Sequence, residues 1–151
     1  MPTHPAYQLA QLNIAQMRAP MDSPEMADFV ANLDRINALA DQAPGFVWRL
    51  KDEEGNATAL RPFGDDTLVN MSVWADVQSL SDYVFKSMHV EIMKRRREWF
   101  AVSPEVTTVL WWVPAGHQPD EHEAMQKLQT LRSVGPSDQA FGFKQVFAPP
   151  L

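Results

Sequence analysis

Several segments of this chain read as β-strands that are apolar on both faces, and this restricts the fold more than any other feature. Side chains of a strand alternate between two faces. Residues 46–50 (FVWRL) set Val47 against Trp48, and residues 67–74 (TLVNMSVW) set Leu68 against Val69. Residues 106–113 (VTTVLWWV), the most β-prone stretch, set Trp111 against Trp112. Residues 7–14 (YQLAQLNI) alternate as well, with Tyr7, Leu9, Gln11 and Asn13 on one face. A sheet with one wet face carries polar residues there. These strands predict a sheet covered on both sides.

Helical segments separate the strands. Ser23-Pro24 opens the first, and Met26, Phe29, Val30, Leu33, Ile36 and Ala40 recur at helical spacing up to Pro44-Gly45. Residues 51–66 are rich in charge and turn formers and read as a long hairpin connection. Residues 76–100 read as helical, with a break near Lys86-Ser87. Asp120 and Glu123 have capping-box spacing and open a helix that carries Leu128 and Leu131 on its apolar side, up to Gly135-Pro136. Residues 140–147 (AFGFKQVF) read as a last edge strand.

The order is β-α-β-β-α-β followed by an extra helix and strand. It predicts one α+β domain over residues 1–151, a ferredoxin-like antiparallel sheet with helices on one face. On this reading the other face needs a different cover. A second sheet from a partner subunit is the economical one, which predicts a homodimer.

Composition removes several classes of function. The net charge of −6 disfavours a phosphate backbone as partner, so no nucleic acid is expected. The absence of cysteine excludes disulfides, thiolate catalysis and cysteine-based metal sites. No apolar run is long enough to span a bilayer, and residues 1–14 lack the features of a secretory signal, so the expected compartment is the cytoplasm. The six glycines form no phosphate-binding loop, and no serine has nucleophile-elbow context.

The stretches LAQLNIA (residues 9–15), LVNMSVW (68–74), HVEIMKRRREWF (89–100) and LWWVPAGH (110–117) resemble an uncharacterised bacterial domain family. That family is grouped with the dimeric α/β-barrel superfamily, alongside the antibiotic-biosynthesis monooxygenases. The resemblance implies a ferredoxin-like subunit that pairs through its sheet, with a cavity between helices and sheet. It also implies binding of a small aromatic or polyketide-like molecule, with cofactor-independent oxygenation or isomerisation as the reaction if there is one. The alternatives are a non-catalytic ligand-binding or stress-associated dimeric barrel and a haem-binding or haem-degrading protein that uses His89. Fold alone does not choose among them.

Placed on one helix, residues 89–100 put His89, Ile92, Met93, Arg96, Trp99 and Phe100 on a buried stripe, with Lys94 and Arg95 in solvent. Arg96 then either forms an internal ion pair or lines a cavity and binds a carboxylate or phenolate. His89 is either a core histidine or a general acid–base. Asn13 either caps the end of its strand or binds a substrate oxygen. Asn70 and Ser72 share a face with Leu68 and Trp74 and need polar partners, from neighbouring strands or from a ligand. Trp48, Trp74 and Trp99 are either core or an aromatic lining. His117 and His122, with Asp120 and Glu121 between them, lack a clear third ligand, so no metal is expected.

Overall fold

The computed structural model describes residues 6–20, 22–50, 66–86 and 94–149. The hairpin connection expected over residues 51–66, Asp66 apart, and the whole segment around His89 lie outside them. The elements are β1 (Tyr7–Gln16), α1 (Ala27–Gln42), β2 (Phe46–Arg49), β3 (Thr67–Trp74), α2 (Val77–Lys86), α3 (Arg96–Trp99), β4 (Thr108–Pro114) and α4 (Glu121–Val134). A 3-10 turn, Pro24–Met26, leads into α1. The strands form one antiparallel sheet in the order β2-β3-β1-β4. This is the strand order of the ferredoxin-like fold, in the α+β class.

Local chemistry sets the boundaries. The Asp120 carboxylate accepts from the Glu123 backbone N–H at 2.8 Å and caps α4, as the capping-box spacing predicts. Gly45 turns the chain from α1 into β2 at φ +82°, and a Cβ there would collide with the Ser79 side chain. Both the conformation and the close approach require glycine. A register shift between Phe46 and Trp48 lets these two residues face opposite sides of the sheet.

The register assigns the faces. On one, Leu9, Gln11 and Asn13 of β1 lie beside Trp74, Ser72 and Asn70 of β3 and Trp112, Leu110 and Thr108 of β4. At one end of this face Leu9, Trp74 and Leu110 pack with Ala40 of α1, Leu80 of α2 and Phe141. On the other face Ala10, Leu12, Met71, Val73, Val109 and Trp111 form a second cluster, closed by Ala124, Leu128 and Leu131 of α4. Burying each leucine there contributes about 1.5–3 kcal/mol. The Trp111 indole donates to Glu123 Oε2 at 2.8 Å, and His117 Nε2 lies 2.6 Å from Glu123 Oε1. These bonds tie the first turn of α4 to the sheet and to the turn before it.

Three expectations are corrected. The second face does not need a partner sheet, because α4 of the same chain covers it. The premise for a dimer therefore falls, although the dimer itself does not. Residues 140–147 are not a regular strand: Phe141 makes one bridge to Leu110, and two tight turns, Ser137–Ala140 and Gly142–Gln145, interrupt the extension. Finally, residues 94–100 do not continue one helix. α3 is a single turn that ends as Phe100 becomes extended, with φ −129° and ψ 141°. One helical phase does not apply there, and Arg96 is exposed rather than inward. Trp99 is buried, as expected.

Candidate functional site

A cavity of about 780 Å³ lies on the first face of the sheet, over the region that α1 and α2 leave open. Such a volume suits a drug-sized organic molecule. Its apolar walls come from Phe29, Leu33 and Ile36 of α1, Leu68 and Trp74 of β3, and Leu80 and Tyr83 of α2. The Trp74 ring is held by stacking on Tyr83, with centroids 5.2 Å apart, and by the edge-on ring of Phe46 at 5.4 Å.

A row of polar side chains from β1 and β3 crosses this apolar surface. Gln11 Nε2 donates to Asn70 Oδ1 at 2.6 Å and to Ser72 Oγ at 2.7 Å. Ser72 Oγ also accepts from Trp74 Nε1 at 2.8 Å. Asn13 Nδ2 donates to Thr108 Oγ1 at 2.7 Å. Gln11 and Ser72 are only 7% and 6% exposed, so water cannot generally satisfy them. Gln11 Oε1, Asn13 Oδ1 and Asn70 Nδ2 make no hydrogen bond to any described residue. The row thus offers two carbonyl acceptors and an N–H₂ donor to whatever enters the cavity.

Tyr83 donates its hydroxyl to the Ile36 carbonyl at 3.0 Å, and burial pushes its phenol pKa above the usual value. It stays a neutral phenol at physiological pH. Among the described lining residues there is no His, Asp, Glu or Lys. The described wall can therefore bind and polarise a ligand, but it holds no group that takes up a proton near neutrality.

Of the residues singled out from the sequence, Asn13, Asn70, Ser72, Trp74 and Arg96 line the cavity. Asn13 lies within β1 and does not cap its end. Arg96 sits exposed at the rim. Trp48 packs against the opposite face, and Trp99 stands behind Phe29, at 5.5 Å between centroids, so neither lines the cavity. His89 lies outside the described residues. Gln11 and Tyr83 were not singled out. The alternation of β1 could have pointed to Gln11, midway between Leu9 and Asn13 on the cavity face, whereas nothing local in the sequence marks Tyr83.

Among the described residues, no group of three or more His, Asp or Glu could hold a metal ion, and no helix is long and apolar enough to cross a membrane. His117 is engaged by Glu123, and His122 lies 3.2 Å from Gln126 Nε2.

No curated protein matches the chain. Solved structures similar to it include SnoaB, a cofactor-independent oxygenase from Streptomyces nogalater. That likeness has 17% identity and a TM-score of 0.46, covering 77% of this chain and 100% of the other. A protein of unknown function from Nitrosomonas europaea shows 18% identity and a TM-score of 0.46, covering 76% of this chain and 97% of the other. Rv0793 from Mycobacterium tuberculosis shows 10% identity and a TM-score of 0.47, covering 75% and 99%. A family model described as a domain of unknown function (DUF3291) matches residues 8–151, and the chain belongs to that family.

Proposed function

We propose that this protein binds a small aromatic or polyketide-like molecule in the cavity between α1 and the sheet. The polar row of Gln11, Asn13, Asn70 and Ser72 on an otherwise apolar wall carries this reading. Of these, Gln11 is buried with an unused carbonyl, a costly arrangement in a structural core but a useful one in a binding site, while Asn13 is half-buried and Asn70 exposed. A flat ligand packs on Trp74 and Phe29, and its ring hydroxyl donates to Gln11 Oε1 and accepts from Asn70 Nδ2. No cofactor is invoked.

Any catalysis uses the same wall. The Asn70 amide stabilises an enolate or phenolate oxygen as charge develops. The proton acceptor in this proposal is His89. His89→Ala then abolishes turnover and spares ligand affinity, whereas loss of both would place it in structure or binding.

Binding is tested with a neutral probe, hydroxynaphthoate methyl ester, by calorimetry on the full chain. Gln11→Leu keeps the shape and removes the amide. It is expected to weaken the probe by about tenfold, the equivalent of one or two hydrogen bonds. Undiminished affinity with an intact fold overturns the reading. We extend the proposal to a homodimer on the superfamily resemblance. Light scattering is expected to give about twice the 17.1 kDa chain mass, and a monomer at micromolar concentration rules the dimer out.

A further inference from the structure

The charge around the cavity is one-sided. Arg49, Arg96, Arg97 and Arg132 line it, and among the described residues no Asp or Glu does. This occurs in a chain whose net charge is −6. The four arginines are not equivalent. Arg49 is held by Asp41 at 2.7 Å, and Arg132 donates to the Val106 carbonyl at 2.8 Å. Neighbouring Arg95, which does not line the cavity, is bound by Glu98 and Asp28 and lies over the Trp99 ring. The side chains of Arg96 and Arg97 make no hydrogen bond or ion pair to any described residue. Two consecutive guanidinium groups thus remain available at the rim.

Their place in the fold sets the span. The Arg18 backbone N–H donates to the Trp99 carbonyl at 2.8 Å, and Ala101 N–H donates to the Gln16 carbonyl at 2.9 Å. These bonds hold α3 against the C-terminal end of β1. That end lies three residues, about 10 Å, beyond Asn13. A fused aromatic system of two or three rings covers such a distance.

We infer that the cavity selects an anionic aromatic ligand: its oxygenated ring end meets the polar row, and its carboxylate meets Arg96 and Arg97. The inference rests on the binding role proposed above and names the ligand's charge. Guanidinium groups pair with a carboxylate through two parallel N–H···O bonds. A cationic ligand would meet four arginines and no described carboxylate.

The test compares hydroxynaphthoate with its methyl ester, two probes of nearly the same shape that differ in charge. At low salt the acid is expected to bind about tenfold more tightly than the ester, and the preference should shrink toward about 0.5 M salt because the rim is exposed. Replacing both arginines (Arg96→Gln with Arg97→Gln) is expected to abolish the preference, bringing the acid down to the affinity of the ester for the same variant. Arg95→Gln is the control and is expected to retain it. Equal binding of acid and ester, or a preference that survives the double substitution, overturns the inference. Ester binding that depends on Gln11 still upholds the binding role in that case, so the two failures are separable.

Discussion

The two faces of the sheet are built from the same strands, yet they are finished differently. The face under α4 is dry: Ala10, Leu12, Val73, Val109 and Trp111 are buried against Ala124 and Leu128. The face under α1 and α2 is dry only at one end, around Leu9, Trp74 and Leu110. Along the rest, Gln11, Asn13, Asn70 and Ser72 interrupt the apolar surface beneath a cavity. One face is built for stability. The other gives up close packing for a cavity with polar side chains on its floor. The contrast lies in single alternate positions: Gln11 stands between Ala10 and Leu12, which point the opposite way.

The largest expected effect breaks the dry face. Leu128→Ala removes a side chain that is 2% exposed between α4 and the sheet. It is expected to cost about 2–5 kcal/mol in urea unfolding, whereas Leu33→Ala, at the cavity wall, costs clearly less. Equal losses at the two sites would mean that the cavity wall is as closely packed as the α4 interface.

The next effect tests the dry end of the open face through pH. Burial raises the folded-state pKa of Tyr83, so above about pH 10 the unfolded chain loses its proton first. The unfolded state then binds fewer protons, and stability falls as pH rises. The slope contributed by this one group approaches roughly 1.4 kcal/mol per pH unit. Tyr83→Phe is expected to remove that share of the alkaline loss, measured by urea unfolding at pH 9 and pH 11. An unchanged slope would show that the phenol is already solvated.

A smaller effect separates stability from function on the open face. Gln11→Leu deletes a half-satisfied buried amide and inserts an apolar group of similar size. Stability is expected to stay within about 1 kcal/mol of the parent. Ligand affinity falls all the same, as proposed above. A large stability loss would instead make the polar row a structural network.

Much of this contrast was legible in the sequence. Period-two alternation correctly put Asn70 and Ser72 with Leu68 and Trp74, and put Trp111 and Trp112 on opposite sides. The cover of the second face was assigned to a partner sheet, whereas the chain's own α4 supplies it. Leu128 and Leu131 mark an apolar stripe, but a stripe does not say which surface it meets, and that is decided by the path of the chain after β4. Arg96 was misplaced for a related reason. Helical phase holds only along an unbroken helix, and α3 is one turn long. Trp48 and Trp99 are large aromatics, a residue type that fills cores as readily as cavities. Only the three-dimensional placement separates them from Trp74.

The smallest effect concerns the rim, where adjacent arginines have different roles. Arg95 donates to Glu98 at 2.9 Å and to Asp28 at 2.7 Å. The hydrogen bond from Arg95 is the main cause that holds the Glu98 carboxyl below its usual pKa. A depressed folded-state pKa stabilises the fold at pH values above the unfolded carboxyl's pKa, near 4.3, and that stability is lost as pH falls through the folded value. Both side chains are exposed, so the contribution is small and screened by salt. Arg95→Gln is expected to flatten the acid limb of the stability–pH curve slightly. Arg96→Gln is expected to leave it unchanged, because no described carboxylate pairs with Arg96. The comparison requires thermal melts of the two variants and the parent between about pH 3 and pH 6, spanning the carboxylate range. If Arg96→Gln shifts the acid limb as much as Arg95→Gln, Arg96 has a carboxylate partner in solution, and the rim offers a ligand one guanidinium fewer.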